Sequence, residues 1–276
     1  MPTFTGQTTV AGKTIMDETP FGKKSLGQHW LNDQTSLEAM CQAARLEAND
    51  TVLEIGPGLG SLTKLLCEQA ARVLAVELDN QLAISLKDRI RADNLEVINE
   101  DILKFDLTKL PPKYKVVANI PYYLTSQLIR VLSESVNPAA VATLLVQKEV
   151  AERLAAKPGN LSILGVTAQF YWQVELGPVV KAELFTPQPK VDSQIVVLTW
   201  RDKPLFNGVD TKQYFRLVRA GFSQKRKTLL NSLSAGLAIT RQEAETKLKA
   251  AGIEPSARAQ TLSQEDWHKL YLNFYA

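Results

Sequence analysis

The chain has 276 residues, 45% of them apolar, with a formal charge of +3. That is ample for a packed core and too mild a charge to diagnose a nucleic-acid binder by itself. The longest apolar runs, such as residues 139–146, fall far short of the roughly 20 that cross a bilayer, so no membrane span is expected.

The first twenty residues hold polar, small and Gly/Pro residues without the continuous apolar stretch of a secretory signal, and are expected to form a flexible tail (1–20). Cys41 and Cys67 are solitary, without metal-ligand spacing or a disulfide framework. They point to a reducing, cytoplasmic setting and to no metal.

From Thr51 short apolar runs alternate with longer amphipathic ones, the pattern of a βαβ series and a mostly parallel sheet. "TVLEIG" reads as strand, "SLTKLLCEQA" as helix, "RVLAVELD" as strand and "QLAISLKDRI" as helix. "LEVINED" and "KVVANIP" make further strands, followed by a helix from Ser126, the strand "AAVATLLVQ" and the helix "KEVAERLAA", which stops at Pro158-Gly159. "SQIVVLTW" (193–200) is expected as the last strand of the sheet. Residues 201–210 read as a linker, and beyond it the periodicity is helical over roughly 211–222, 225–235, 240–251 and 263–274. The chain is expected to divide near residue 205 into an α/β domain (21–204) and a small helical one (205–276).

The strand "TVLEIG" runs into "EIGPGLGSLT", which places Gly56, Gly58 and Gly60 between a strand and a helix, where a missing Cβ lets backbone approach a ligand. The G-x-G-x-G spacing lacks the G-x-x-G ending of the dinucleotide fingerprint, so a nucleoside without a pyrophosphate is the better guest. Glu77, about twenty residues on and at the end of the next strand, can accept hydrogen bonds from ribose hydroxyls. Asp101 follows the third strand and can accept from an adenine amino group. This order resembles class I S-adenosylmethionine-dependent methyltransferases, in which Glu54 would lie near the methionine end. A tight βα turn with capping acids, or a site of the NAD type, stays open on these residues alone.

"VVANIPYYLTS" (116–126) raises a further question, because turn chemistry explains Asn119 and Pro121 but not two tyrosines beside them. The Asn119 side-chain carbonyl can accept one N–H of an exocyclic amine, and the backbone carbonyl of Ile120 or Pro121 the other, which stabilises the positive charge the nitrogen gains on attack. Pro121 stiffens the turn, and Tyr122 can stack on a base swung out of its helix. "NIPY" resembles the N-[IL]-P-[YF] signature of N6-adenine methyltransferases.

Eight segments then run in a shared order: "GQHWLND", "EIGPGLGSLT", "VELD", "EDIL", "NIPYYLTS", "QKEVAERL", "FTPQPKVDS" and "FSQKRKTLLNSL". On them the chain resembles the KsgA/RsmA-type ribosomal RNA adenine dimethyltransferases over about residues 21–275. The resemblance implies a Rossmann-like α/β fold with a mostly parallel seven-stranded sheet and an all-α C-terminal domain. It also implies two dimethylations at N6 of adjacent adenines in the 3′-terminal hairpin of small-subunit (16S) rRNA in the immature subunit, with S-adenosyl-L-methionine as donor and the enzyme acting as a monomer. By the same resemblance His29, Leu31, Gly56, Glu77, Asp101, Ile102 and Asn119 contact the cofactor, and Tyr122 and Phe185 sandwich the target adenine. The family commonly shows Gly-Gln-Asn-Phe-Leu where this chain has Gly27, Gln28, His29, Trp30 and Leu31. An imidazole N–H there is expected to replace the amide as donor to the methionine carboxylate.

Lys225, Arg226 and Lys227 are read as the start of a helix and, with Lys23 and Lys24 across the cleft, as candidate RNA-backbone contacts. The rival expectations are an Erm-type large-subunit rRNA methyltransferase and a non-catalytic RNA-binding assembly factor.

Overall fold

A computed structural model describes residues 28–203 and 205–275. The expected tail and the candidate contacts Lys23 and Lys24 lie outside them.

Strands β2 (Thr51–Ile55), β3 (Arg72–Glu77), β4 (Leu95–Asn99), β5 (Lys115–Asn119), β6 (Val141–Gln147), β7 (Trp172–Val180) and β9 (Ser193–Trp200) form one seven-stranded sheet in the order β4-β3-β2-β5-β6-β9-β7. The first five are parallel, while β9 runs antiparallel to both its neighbours. The minimal pair β1 (Trp30–Leu31) and β8 (Phe185–Thr186) stands apart from this sheet.

Period-two alternation assigns the side chains to two cores. Leu53, Ile55, Val116, Ala118, Leu144 and Val146 enter the core that also takes up Leu128, Ile129 and Leu132 of α4 (Thr125–Glu134). Val52, Val117 and Leu145 enter the opposite one, under α1 (Gln34–Ala43) and α2 (Ser61–Gln69). Burying each such side chain contributes roughly 1.5–3 kcal/mol. With apolar cover on both faces, the central strands leave their C-terminal ends as the place for a site. Crossovers are made by α2 and α3 (Asn80–Arg89), the latter capped by the Asp79 carboxylate on the N–H groups of Gln81 and Leu82.

Three expectations need correction. First, β9 is last in sequence but not in space: β7 pairs outside it as the edge strand. Pro178 sits where the register of β7 shifts between Leu176 and Val179, a place an edge strand tolerates it. Second, α6 (Ile163–Tyr171) carries no polar stripe because it is covered from two sides. Its Leu164 and Ala168 pack on the sheet, while Val166 and Phe170 join the core of the helical domain. The division near residue 205 is therefore a change of architecture along the chain rather than a gap between cores. Gly159 and Leu161 also donate backbone N–H groups to the carbonyl of Gln260, and Gln264 Nε2 donates to that of Val166.

Third, the helical domain consists of α7 (Thr211–Phe222), α8 (Leu229–Leu237), α9 (Arg241–Ala250) and α10 (Gln264–Tyr275). Lys225, Arg226 and Lys227 do not begin a helix. They occupy an exposed turn closed by the Lys227 N–H on the Gln224 carbonyl, and Thr228 is the N-cap of α8. Among the described residues no helix is long and apolar enough to cross a membrane.

Candidate active site

One cavity opens at the C-terminal ends of β2, β3, β4 and β5, the crevice where open α/β sheets bind ligands. Its wall includes His29, Leu31, Glu54, Gly56, Gly58, Glu77, Asp101, Ile102, Asn119, Pro121 and Tyr122, so the structure brings these expected residues to one place.

The glycine loop is shaped by left-handed backbone. Gly56 has φ +66° with only Pro121 Cδ, 4.0 Å away, near a Cβ added there, which leaves an open cradle beside the opening motif. At Gly58, φ +55°, an added Cβ would press on the Trp30 indole at 3.1 Å, so the loop and the indole touch only because the side chain is absent. Gly60 corrects the expectation of a cofactor contact. It is absent from the cavity wall, and an added Cβ there would meet Leu86 Cδ1 at 2.8 Å. It is needed for the approach of α2 to α3.

The carboxylates are arranged unequally. Glu77, 5% exposed, accepts from the Gly58 N–H at 3.2 Å and from the Asp79 N–H at 2.9 Å. Burial raises its pKa above the ordinary carboxylate value, and those backbone bonds oppose the shift. Its two oxygens keep lone pairs for ribose hydroxyls. Asp101 uses Oδ1 to hold the Leu103 N–H at 3.0 Å. Glu54 is buried on the α1/α2 face of β2, its Oε2 meets no donor, and burial pushes it up to about 8, with the charge of Glu77 adding to the rise.

The opening motif leaves β5 with its geometry fixed. Asn119 Nδ2 donates to the His29 carbonyl at 3.2 Å, so its amide oxygen is the end free to accept. Of the two backbone carbonyls considered beside it, that of Pro121 takes the Leu124 N–H at 3.0 Å, which leaves Ile120 as the acceptor outside the turn. The half-buried Tyr122 ring is held by its hydroxyl, 2.9 Å from Ser193 Oγ. Tyr123 is exposed at the rim.

Two carried-over roles need correction. Phe185 does not face Tyr122: opposite Leu31 in the β1–β8 pair, it is 3% exposed in the core under α1 and α2 and does not line the cavity. The ring beside Tyr122 is instead His29, with centroids 5.7 Å apart and planes 22° from parallel. The imidazole Nδ1 lies 2.6 Å from the Pro187 carbonyl, which can only accept, so that N–H is engaged there rather than offered to a methionine carboxylate.

Sequence reasoning missed Ser193, which stands in "FTPQPKVDS" and needed only a search for a partner to the tyrosine hydroxyl. Glu100 on the wall was passed over beside Asp101. The exposed triplet Lys225, Arg226 and Lys227 is not part of the cavity and makes no ion pair among the described residues.

The sequence profile of the family described as "Ribosomal RNA adenine dimethylase" matches residues 21–275. The chain belongs to this family. Among its curated relatives, a protein of Dehalococcoides mccartyi strain 195 named "Ribosomal RNA small subunit methyltransferase A" is 42% identical over 254 residues, 91% of this chain and 87% of the relative. One of the same name in Streptococcus equi subsp. zooepidemicus is 39% identical over 272 residues, 94% of each. Among solved structures, a dimethyladenosine transferase from Plasmodium falciparum superposes with a TM-score of 0.74 at 29% identity, covering 88% of this chain and 96% of that one. The 23S rRNA methyltransferase ErmE superposes with a TM-score of 0.71 at 31% identity, covering 88% and 98%. The fold is thus the Rossmann-like one of class I methyltransferases, followed by a helical C-terminal domain.

Proposed function

We propose that this chain dimethylates N6 of two adjacent adenines in the 3′-terminal hairpin of small-subunit (16S) rRNA during ribosome biogenesis, with S-adenosyl-L-methionine as donor. The observation that carries the reading is the Asn119-Ile120-Pro121-Tyr122 turn placed in the same cavity as Gly56, Glu77 and Asp101. Relatives named for the small subunit extend over nearly the whole chain.

The residues present fit the donor. Gly56 leaves a cradle a side chain would fill, Glu77 and Asp101 keep acceptor capacity for ribose and adenine, and the orphaned Glu54 oxygen suits a cationic tail. When bound, S-adenosylmethionine supplies a methyl group on a positively charged sulfur. The protein's part is to hold the acceptor. Tyr122 offers a ring, fixed through Ser193, on which an extruded adenine stacks for ~1–3 kcal/mol. Asn119 Oδ1 and the Ile120 carbonyl each accept one amine N–H and stabilise the cation as the nitrogen leaves conjugation, with an effect of roughly 2–4 kcal/mol each by analogy with oxyanion donors of opposite polarity.

On this reading the protein works in the cytoplasm as a monomer on the immature subunit, and Lys225, Arg226 and Lys227 hold RNA phosphates. Both cysteines are free thiols, Cys41 buried and Cys67 partly so, and desolvation pushes them up to about 12 and about 11. The 31% identity to ErmE favours one rival, methylation of large-subunit rRNA. Tritium transfer from labelled donor, with Asn119→Ala as control, followed by mapping of the modified adenines, tests both. Label in the small-subunit hairpin is expected; label confined to 23S rRNA would transfer the reading to the rival, and none at all would leave only RNA binding.

A further inference from the structure

Among the described residues Tyr123 is the one Phe, Tyr or Trp side chain that stands exposed, and it stands on the wall of the cavity at the strand ends. Aromatic rings carry much apolar area, and everywhere else the described chain buries them or covers them in part. At 58% exposure Tyr123 has no such cover, and no hydrogen bond, ion pair or ring contact engages it among the described residues. A single apolar side chain on a surface needs no explanation by itself. This one is set apart by its place.

The place follows from the turn that carries it. Tyr122, Tyr123 and Leu124 make one turn of 3-10 helix, in which successive side chains leave the axis about 120° apart. Leu124 enters the core on the α4 side of the sheet, and Tyr122 is tied to Ser193 with its ring beside His29. The direction left to Tyr123 is outward, at the mouth. Two rings that diverge in this way cannot sandwich one base; they can hold two. The backbone beneath them is fixed by the Leu124 N–H on the Pro121 carbonyl at 3.0 Å and the Thr125 hydroxyl on the Tyr122 carbonyl at 3.1 Å. Tyr123 therefore offers its ring with only two side-chain torsions left to settle.

A base swung out of its stack uncovers one face of the nucleotide next to it, and that loss opposes extrusion. We infer that Tyr123 receives this neighbour: while Tyr122 holds the adenine to be methylated, Tyr123 stacks on the next base and keeps it at the mouth. The inference rests on the methylation reading above and adds a second base site to it. Every base has a face to stack, so the platform positions the strand without choosing its letters. It is also one-sided. The first adenine of the pair has the second as its 3′ neighbour, and the second has the first as its 5′ neighbour. With the strand threaded in one direction, Tyr123 covers the companion adenine in only one of these two registers.

The test uses small-subunit particles assembled on rRNA with 2-aminopurine in place of one or the other adenine of the pair. 2-Aminopurine lacks the N6 amine, so it leaves a single target in each particle, and its fluorescence is quenched by stacking. With S-adenosylhomocysteine in place of the donor, Tyr123→Ala should leave the probe brighter than the wild type does in one of the two particles and not in the other. Tyr123→Phe keeps the ring and should match the wild type in both. On unmodified particles Tyr123→Ala should raise KM for the particle on the order of tenfold with kcat little changed, because the neighbour is held before transfer as well as during it. Equal brightness of Tyr123→Ala and wild type in both particles would overturn the inference, and so would an equal gain in both, which marks a general loosening of the turn. Failure of the wild type to methylate unmodified particles would remove the small-subunit reading itself, and this inference with it.

Discussion

The acidic cavity and the basic turn at 223–227 put opposite charges to different physical uses. Glu54 and Glu77 are buried, one with an oxygen that meets no donor and one clasped by two backbone N–H groups, so each small change in a ligand's charge is felt at low dielectric. Lys225, Arg226 and Lys227 stand exposed in water, where salt screens them and geometry is loose. Burial converts charge into discrimination, and exposure converts it into attraction without choice. A protein that must select one small cofactor and grip a long polyanion has reason to keep the two apart.

Substitutions can break this contrast. The largest effect is expected from Asn119→Ala, which should lower kcat by about 10²–10³ while RNA binding persists, since it removes an acceptor used only as charge develops. Single-turnover methylation beside a filter-binding assay checks this; a fall in RNA affinity matching the fall in rate would reassign Asn119 to simple binding. Next comes Tyr122→Ala, which should weaken docking of the extruded base by ~1–3 kcal/mol, read as a rise in KM for RNA. Tyr122→Phe keeps the ring and loses only the bond to Ser193, so it should cost about 1 kcal/mol. Equal damage from both would locate the tyrosine's role in its hydroxyl.

The basic turn predicts a smaller and less selective loss. Replacing Lys225, Arg226 and Lys227 by Gln should reduce the salt slope of RNA binding by about 2–3, at roughly 0.9 per phosphate contact, with donor affinity unchanged by calorimetry. An unaltered slope would leave the triplet as a solvated loop. A last effect concerns the ligand-free fold. Because the value for Glu54 is raised from 4.5 to about 8 on folding, the folded state holds an extra proton between those limits, and stability falls as pH rises through that window. In Glu54→Gln this component vanishes, so the difference in Tm between variant and wild type should grow from near pH 5 to near pH 8. A constant difference across that range would show that Glu54 ionises in the folded state much as in the unfolded chain.

How much of this the sequence revealed depended on whether a signal was local. Strands β2 to β6 were readable because their apolar alternation and bounding turns lie within a few residues, and Gly56, Glu77, Asp101 and Asn119 were found from strand-end position. What escaped was set by distant partners. Nothing in "ILGVTAQFY" announces that α6 faces two cores, and Phe185 was placed in the base pocket because its burial is decided by pairing with Leu31 far back in the chain. Gly60 illustrates the same limit: all three glycines share a left-handed backbone, but its nearest neighbour, Leu86, lies on another helix. Residues 225–227 read as helical because the periodicity of 225–235 ran back through them, and the Thr228 cap shows where the helix begins.

The double seating of α6 has a mechanical consequence. Since Leu164 and Ala168 are anchored in one core and Val166 and Phe170 in the other, bending between the layers would disturb both, so the domain that carries the 223–227 turn is held in place relative to the mouth at Asn119 even though the turn's own side chains are loose. Any hairpin gripped by that turn would be measured off like cloth against a yardstick. The nucleotides that reach the methyl group would then be picked by their distance along the stem, whatever their flanking letters spell.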